Sequence, residues 1–410
     1  MKPELARGVK DTNPEEQILK DSILSTIKYK FERYGFSPLQ TPVIEREETL
    51  TSKYAGGEEI LKEIYTFKDQ GDRNLALRFD LTVPLARYIA LNPTLKKPFK
   101  RYQIGNVFRD GPVKSGRYRE FIQCDADVVG TKSVYSEAEL LKIASEVFKE
   151  LGLEVTIQIN DRKLLNAILD KAKIEDQESF ILTLDKIEKI GREGVEKELR
   201  EKKFPDNSIK TALDLAEKNL EDLKGELEES ALKDLKNLFL YLDSLDVKYE
   251  HVTTLARGLA YYTGTVYEVF AKDNKVKSSL AAGGRYDEMI TKYSNKDNPA
   301  VGLSFGLEAI AEAISKEPKP CNTKLYVIPI SNFKESLKII ENLRSKGINT
   351  DVALPKKDLK KALTYASKYR IPYALIIGEK ELNSDKYTLR DMESGEESSL
   401  TIEEIVDKLI

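Results

Sequence analysis

RYQIGNVFRDGPVKSGRYREFIQCDADVVG, residues 101–130, reads as two strand-like runs joined by a basic turn punctuated by Gly-Pro and Ser-Gly, which predicts a hairpin of antiparallel strands. Working outward, the strand-like runs IYTFKD and LALRFD precede it, and LEVTIQIND, LAYYTGTVYEVFA and SSLAAGGRYDEMI follow as further strands, with AVGLSFGLEAIAEAI a strand passing into a helix. The series predicts a domain built on an antiparallel sheet. Helical period surrounds and interrupts it. Ile18, Ile23, Leu24, Ile27 and Phe31 recur at helical spacing between Pro14 and the stop at Gly35, and residues 133–152 return to the same period.

Residues 162–247 are rich in Leu, Lys and Glu at helical spacing with almost no strand signal, so they predict an inserted helical module. The domain is therefore expected in two parts, 1–161 and 248–317. SKEPKPCNTK reads as a linker. Beyond it, in residues 323–410, KLYVIPI, NTDVAL and YALIIG alternate with helical stretches at 332–345 and 358–369, which predicts a small α/β domain with a largely parallel sheet. A hairpin turning at Ser394 and Gly395 and a helix at 402–409 close it. The expected class is α+β.

Composition narrows the function. The 410 residues suffice for two or three domains with proper cores, and 66 Lys and Arg against 69 Asp and Glu leave a net charge of -3. No global positive field announces a nucleic acid, so any RNA contact must be local. No apolar leader and no run of about 18 apolar residues occurs, which predicts a cytoplasmic protein without a membrane partner. The two cysteines, Cys124 and Cys321, stand far apart and are read as free thiols; the one histidine, His251, leaves His-based metal clusters and Ser-His or Cys-His catalysis without material. No protein-held metal is expected. Chemistry must rest on Arg, Asp, Glu, Gln and Tyr.

The basic turn offers such chemistry. Arg109, Lys114, Arg117 and Arg119 could surround a polyphosphate, whose oxygens take two parallel hydrogen bonds from a guanidinium, and Phe121 could stack on a base. From charge alone, a basic surface hairpin fits equally well. Tyr261 and Tyr262 alone would be half-buried strand aromatics, AAGGRYD alone a turn, and Asp80 alone a partner of Arg78 or Arg87. Their joint order is more specific. FRDGPVKSGRYREF resembles motif 2 of class II aminoacyl-tRNA synthetases, and RGLAYYTGTVYE with LAAGGRYDEM resembles the two signature segments of the histidyl-tRNA synthetase family. The likeness runs from ARGVKDTNPEE through LRFDLTVPLARY and the helical insertion to the TLRDMESGEE tail.

The resemblance implies an antiparallel-sheet catalytic domain with a helical insertion and a small α/β anticodon-binding domain. It implies joining of L-histidine to ATP, with Mg²⁺, to give histidyl adenylate and pyrophosphate, then transfer to tRNA(His). It also implies a homodimer formed through the first helix and the following strands. By position, Arg109 and Arg257 are the expected catalytic arginines at the α-phosphate, Arg257 also reaching the substrate carboxylate. Arg117 is expected toward the outer phosphates and Phe121 under adenine. Asp80, with Thr82 and Gln123, is expected at the α-amino group, Asp127, Tyr262 and Tyr286 at the imidazole, and Tyr261 among the histidine-binding residues. In the tail, Lys356, Lys357, Lys360, Lys361, Lys368 and Arg370 would form a local phosphate-binding face, a pattern that a solvated lysine-rich helix also explains.

Three positions depart from the family pattern: Ala309 stands for the motif 3 arginine, Gly111 for the motif 2 acid, and Ala260 for the aspartate of RGLDYY. They leave open a second class, the regulatory subunit of ATP phosphoribosyltransferase, a histidine-sensing partner that resembles the same core without aminoacylating tRNA. That subunit typically lacks an anticodon-binding domain. A synthetase for proline or threonine would not be expected to carry RGLAYYTG and GGRYD.

Overall fold

A computed structural model describes residues 2–51, 58–113, 118–256, 261–272, 276–314, 319–354 and 358–410. Two compact units divide the chain, Met1–Lys10 with Ser22–Ser315 and Asp11–Asp21 with Lys316–Ile410.

In chain order come α1 (Pro14–Arg33), which belongs to the first unit from Ser22 onward, β1 (Ser37–Pro38), β2 (Ile44–Arg46), α2 (Glu47–Leu50), α3 (Glu58–Leu61), β3 (Thr66–Lys68), β4 (Asn74–Leu77), α4 (Thr82–Leu91), β5 (Phe99–Phe108), β6 (Glu120–Val129), α5 (Tyr135–Glu150) and β7 (Val155–Asp161). Five helices follow: α6 (Arg162–Lys171), α7 (Gln177–Leu184), α8 (Ile187–Glu201), α9 (Asp206–Ala216) and α10 (Glu229–Ser244). The unit closes with β8 (Glu250–His251), β9 (Thr265–Ala271), β10 (Ala281–Arg285), α11 (Asp287–Ser294), β11 (Ala300–Gly306) and α12 (Leu307–Ala313).

Eight of these strands form one sheet in the order β1-β5-β6-β11-β10-β9-β7-β8, antiparallel at every pairing except the two short edge strands. The 101–130 hairpin lies at its heart, with Arg101 opposite Asp127 and Phe108 opposite Glu120. Successive residues of a strand face opposite sides. On one side Cys124, Ala126 and Val128 of β6 are buried, and Phe305 of β11 meets Phe31 of α1 at 5.9 Å and Phe148 of α5 at 5.6 Å between ring centres. Each buried Val or Phe side chain among them contributes about 1.5–3 kcal/mol by leaving water. The opposite side carries Gln123, Asp125 and Asp127. These three side chains line one cavity.

The second unit carries β12 (Leu325–Pro329), α13 (Phe333–Ser345), β13 (Thr350–Val352), α14 (Leu359–Lys368), β14 (Tyr373–Ile377), α15 (Glu379–Ser384), β15 (Tyr387–Asp391), β16 (Glu397–Leu400) and α16 (Ile402–Leu409). Its sheet runs β13-β12-β14-β15-β16, the first three parallel and the last two an antiparallel hairpin. Side-chain caps start the helices where the sequence supplies them: Asp358 accepts from Lys360 N at 2.7 Å, and Thr401 and Glu404 form a reciprocal capping box.

Candidate active site

Over the polar side of the sheet lies a cavity of about 240 Å³ whose lining includes Asp80, Thr82, Arg109, Phe121, Gln123, Asp127, Tyr261, Tyr262 and Tyr286. Register explains why there is room for it. Along β6 and β11, Asp127 faces Gly302, Asp125 faces Ser304 and Gln123 faces Gly306, so each polar side chain has a small neighbour across the pair. At the first of these levels the fit is tight: a Cβ on Gly302 would collide with Asp127 Oδ1, and one on Gly283 would collide with Gly302 O. Only glycine permits these approaches.

At one end of the cavity the Tyr286 hydroxyl donates to Asp127 Oδ1, and the Tyr261 ring packs edge-on against Tyr286 with centres 6.0 Å apart. Tyr262 lies 4.7 Å from Tyr261. Arg101, fully buried, completes the group with an ion pair from Nη2 to Asp127 Oδ2 at 2.8 Å and a 3.0 Å hydrogen bond donated to Leu81 O. Both Tyr286 and its neighbours are anchored through Arg285, whose guanidinium spans Glu137 of α5 at 2.6 Å and Asp287 at 3.0 Å.

At the other end Arg109 donates from Nε to Phe79 O at 2.9 Å, and its guanidinium lies 5.1 Å over the Phe121 ring. Between the ends, Asp80 follows β4 and accepts from Val83 N at 3.1 Å, holding the start of α4. The arginines expected as its bland partners are committed elsewhere: Arg87 pairs with Glu45 at 2.6 Å, and Arg78 donates to Asn106 O at 2.8 Å and Thr41 O at 2.7 Å. Burial pushes the Asp80 carboxyl up to about 6, against the opposing pull of the Val83 N–H, Arg109 and Arg101. Burial likewise raises Asp125 and Asp127, again opposed by Arg101.

Asp125, Arg101, Arg78 and Ser304 belong to this polar layer and were not among the residues expected from the sequence. One signal was available: Gln123, Asp125 and Asp127 alternate, so a strand must put them on one face. The departures from the family pattern also acquire places. Asp110 pairs with Arg119 at 2.7 Å, and the Glu63 carboxylate fills the space that a side chain on Gly111 would enter, 2.6 Å from its Cβ position. Ala309 is buried in α12. Arg257, Arg117, Lys114, Ala260, Lys356 and Lys357 lie outside the described residues. Lys360, Lys361, Lys368 and Arg370 are exposed in and after α14, whose buried side is Ala362 and Ala366. Both cysteines are free thiols, Cys124 buried.

Sequence comparison decides the family. The profile described as histidyl-tRNA synthetase matches residues 8–310, and that of an anticodon binding domain matches residues 324–410. The chain belongs to the histidyl-tRNA synthetase family. It is 46% identical to histidine–tRNA ligase 1 of Bacillus cereus, over 98% of this chain and 96% of that protein, and 37% identical to histidine–tRNA ligase of Clostridium tetani, over 99% and 98%. The crystal structure of histidyl-tRNA synthetase from Nostoc sp. PCC 7120 superposes with a TM-score of 0.89 at 30% identity, covering 100% of this chain and 99% of that one. Among the described residues no helix is long and apolar enough to cross a membrane, and no group of three or more His, Cys, Asp or Glu is arranged to hold a metal ion.

Proposed function

We propose that this synthetase-family chain activates L-histidine with ATP and transfers the histidyl group to the terminal ribose of tRNA(His). The observation that carries the reading is the polar layer under one cavity, with a carboxylate and tyrosine cluster at one end and Arg109 beside Phe121 at the other. Histidine has matching ends. Because the Tyr286 O–H is spent on Asp127, its oxygen is left as an acceptor, suited to an imidazole N–H. A site built to pair a substrate N–H rejects isosteres that lack it far better than apolar bulk does.

At the cavity's middle, Asp80, Thr82 and Gln123 would take the ammonium, leaving the substrate carboxylate toward Arg109. Attack of that carboxylate on the α-phosphate brings two anions together, so the protein's task is neutralisation and alignment, then stabilisation of the growing phosphate charge. Arg109 and, by resemblance, Arg257 would supply it; Arg117 would reach the outer phosphates and Phe121 would support adenine. Mg²⁺ would enter as the counter-ion of the ATP phosphates, the usual preference of an ion that keeps several waters. Exposed Lys360, Lys361, Lys368 and Arg370, with Lys356 and Lys357, would meet tRNA phosphates. We infer a cytoplasmic homodimer from the same resemblance.

The regulatory-subunit reading gives no use to residues 324–410, which match an anticodon binding domain. Incubation with ATP, Mg²⁺, labelled histidine and tRNA(His) should yield histidyl-tRNA. Failure to charge by well-folded protein that still binds histidine would favour the regulatory reading instead.

A further inference from the structure

Next to the residues assigned above stands a carboxylate that has no role in that assignment. Asp125 lines the cavity and is almost wholly buried, at 3% exposure. Its neighbours orient it: Gln123 Nε2 donates to Ser304 Oγ at 3.1 Å, and the Ser304 hydroxyl is hydrogen-bonded in turn to Asp125. This relay fixes which atoms remain. Among the described residues none donates a hydrogen bond to the buried acceptors Gln123 Oε1 and Asp125 Oδ1. Unmet buried acceptors are costly and call for a donor.

Charge accounting points to a cationic donor. The layer buries two guanidiniums, Arg78 and Arg101, and three carboxylates, Asp80, Asp125 and Asp127. Arg78 directs its bonds to backbone carbonyls, while Arg101 ion-pairs with Asp127. With the half-buried Arg109 assigned to the phosphate, one carboxylate is left in surplus among the described buried residues. Phosphate and imidazole ends are served elsewhere in the cavity, and an ammonium brings three donors and one positive charge.

We propose that Asp125 is a substrate-binding residue, its Oδ1 and the neighbouring Gln123 Oε1 accepting from the α-ammonium of histidine, so that two carboxylates, Asp80 and Asp125, clamp the amino group. The inference rests on the histidine-activation reading. It adds a second acid to the amino end of the site and gives the Ser304 hydroxyl the task of aiming both acceptors. Burial raises the Asp125 carboxyl, which fits a group that awaits a cation.

Two fragments of the substrate separate the possibilities: L-histidinol keeps the ammonium and imidazole, whereas 3-(imidazol-4-yl)propionate lacks the ammonium. Calorimetric titration of the full chain with each should show Asp125→Asn weakening histidinol roughly 10–100-fold, the range of a hydrogen bond to a charged group, with imidazolepropionate changed less than about twofold. Ser304→Ala, a smaller change, should give the same selectivity at roughly 3–10-fold. Equal weakening of both fragments, or of neither, in folded Asp125→Asn and Ser304→Ala would overturn the clamp. Wild-type protein that binds neither fragment would overturn the histidine-activation reading itself.

Discussion

In the tail, β12 buries Leu325 and Val327 on one face against Ile340, Leu343, Ile405 and Leu409, and Tyr326 and Ile328 on the other against Ala362 and Ala366. In the large unit, β6 buries Cys124, Ala126 and Val128 on one face but Asp125 and Asp127, beside the half-buried Gln123, on the other. Both strands are central and covered. The tail sheet gives both faces to stability, whereas the sheet of the large unit keeps one face apolar for stability and loads the other with groups that carry a desolvation cost. Buried carboxylates with raised pKa, and acceptors to which none of the described residues donates, mark that face as the candidate binding surface.

Substitutions on the two kinds of face should therefore separate activity from stability. Arg109→Ala should lower kcat/KM for histidine-dependent pyrophosphate exchange roughly 10²–10³-fold, the usual loss for one positioned donor to a developing anion, with little change in melting temperature. In the tail, Leu375→Ala should destabilise by about 2–5 kcal/mol, read by denaturant unfolding, while the exchange rate per folded molecule stays near that of the parent. A fall in exchange matching the loss of stability would erase the distinction between the two sheets.

The pH dependence bears on the same contrast. Asp80 titrates near 6 in the folded chain, above its ordinary value of 3.8. Its contribution to stability is therefore fully present below 3.8 and lost as pH rises through about 6, where the buried charge forms. Ligand affinity has the opposite sign, because only the carboxylate holds an ammonium. Relative to Asp80→Asn, histidinol affinity of the parent should fall by up to about tenfold per unit as pH drops below 6, while its relative stability rises. The smallest effect is expected at the exposed lysines: Lys360→Gln with Lys361→Gln should weaken tRNA binding a few-fold and reduce the slope of log K against log salt by about 0.7 for each phosphate no longer neutralised.

Much of the fold could be read from local pattern. Turn signals around residues 109–119 predict the hairpin, the helical period of 162–247 predicts the run from α6 to α10, and Ser394-Gly395 marks the turn between β15 and β16. The cavity was legible in a different way. Asp80, Gln123, Tyr262 and Tyr286 come from separate segments, and nothing local distinguishes them from ordinary strand and turn residues; the order of the motifs drew them together. Arg101 could not be found so, because its partnership with Asp127 depends on register, and a basic turn of unspecified length leaves register open. Gly302 is similar: its value lies in the Asp127 side chain across the pair. Asp125 was within reach, since alternation alone places it beside Asp127, but without Ser304 opposite it there was no reason to assign it a ligand.

If the polar face of the sheet selects and activates histidine, the full-length wild-type chain with Mg²⁺ should exchange labelled pyrophosphate into ATP in a strictly histidine-dependent way. Run with each of the twenty amino acids in turn, the assay should give exchange with histidine and background rates with the other nineteen. Background rates with histidine from folded protein, or equal rates with a second amino acid, would contradict that role for the polar face.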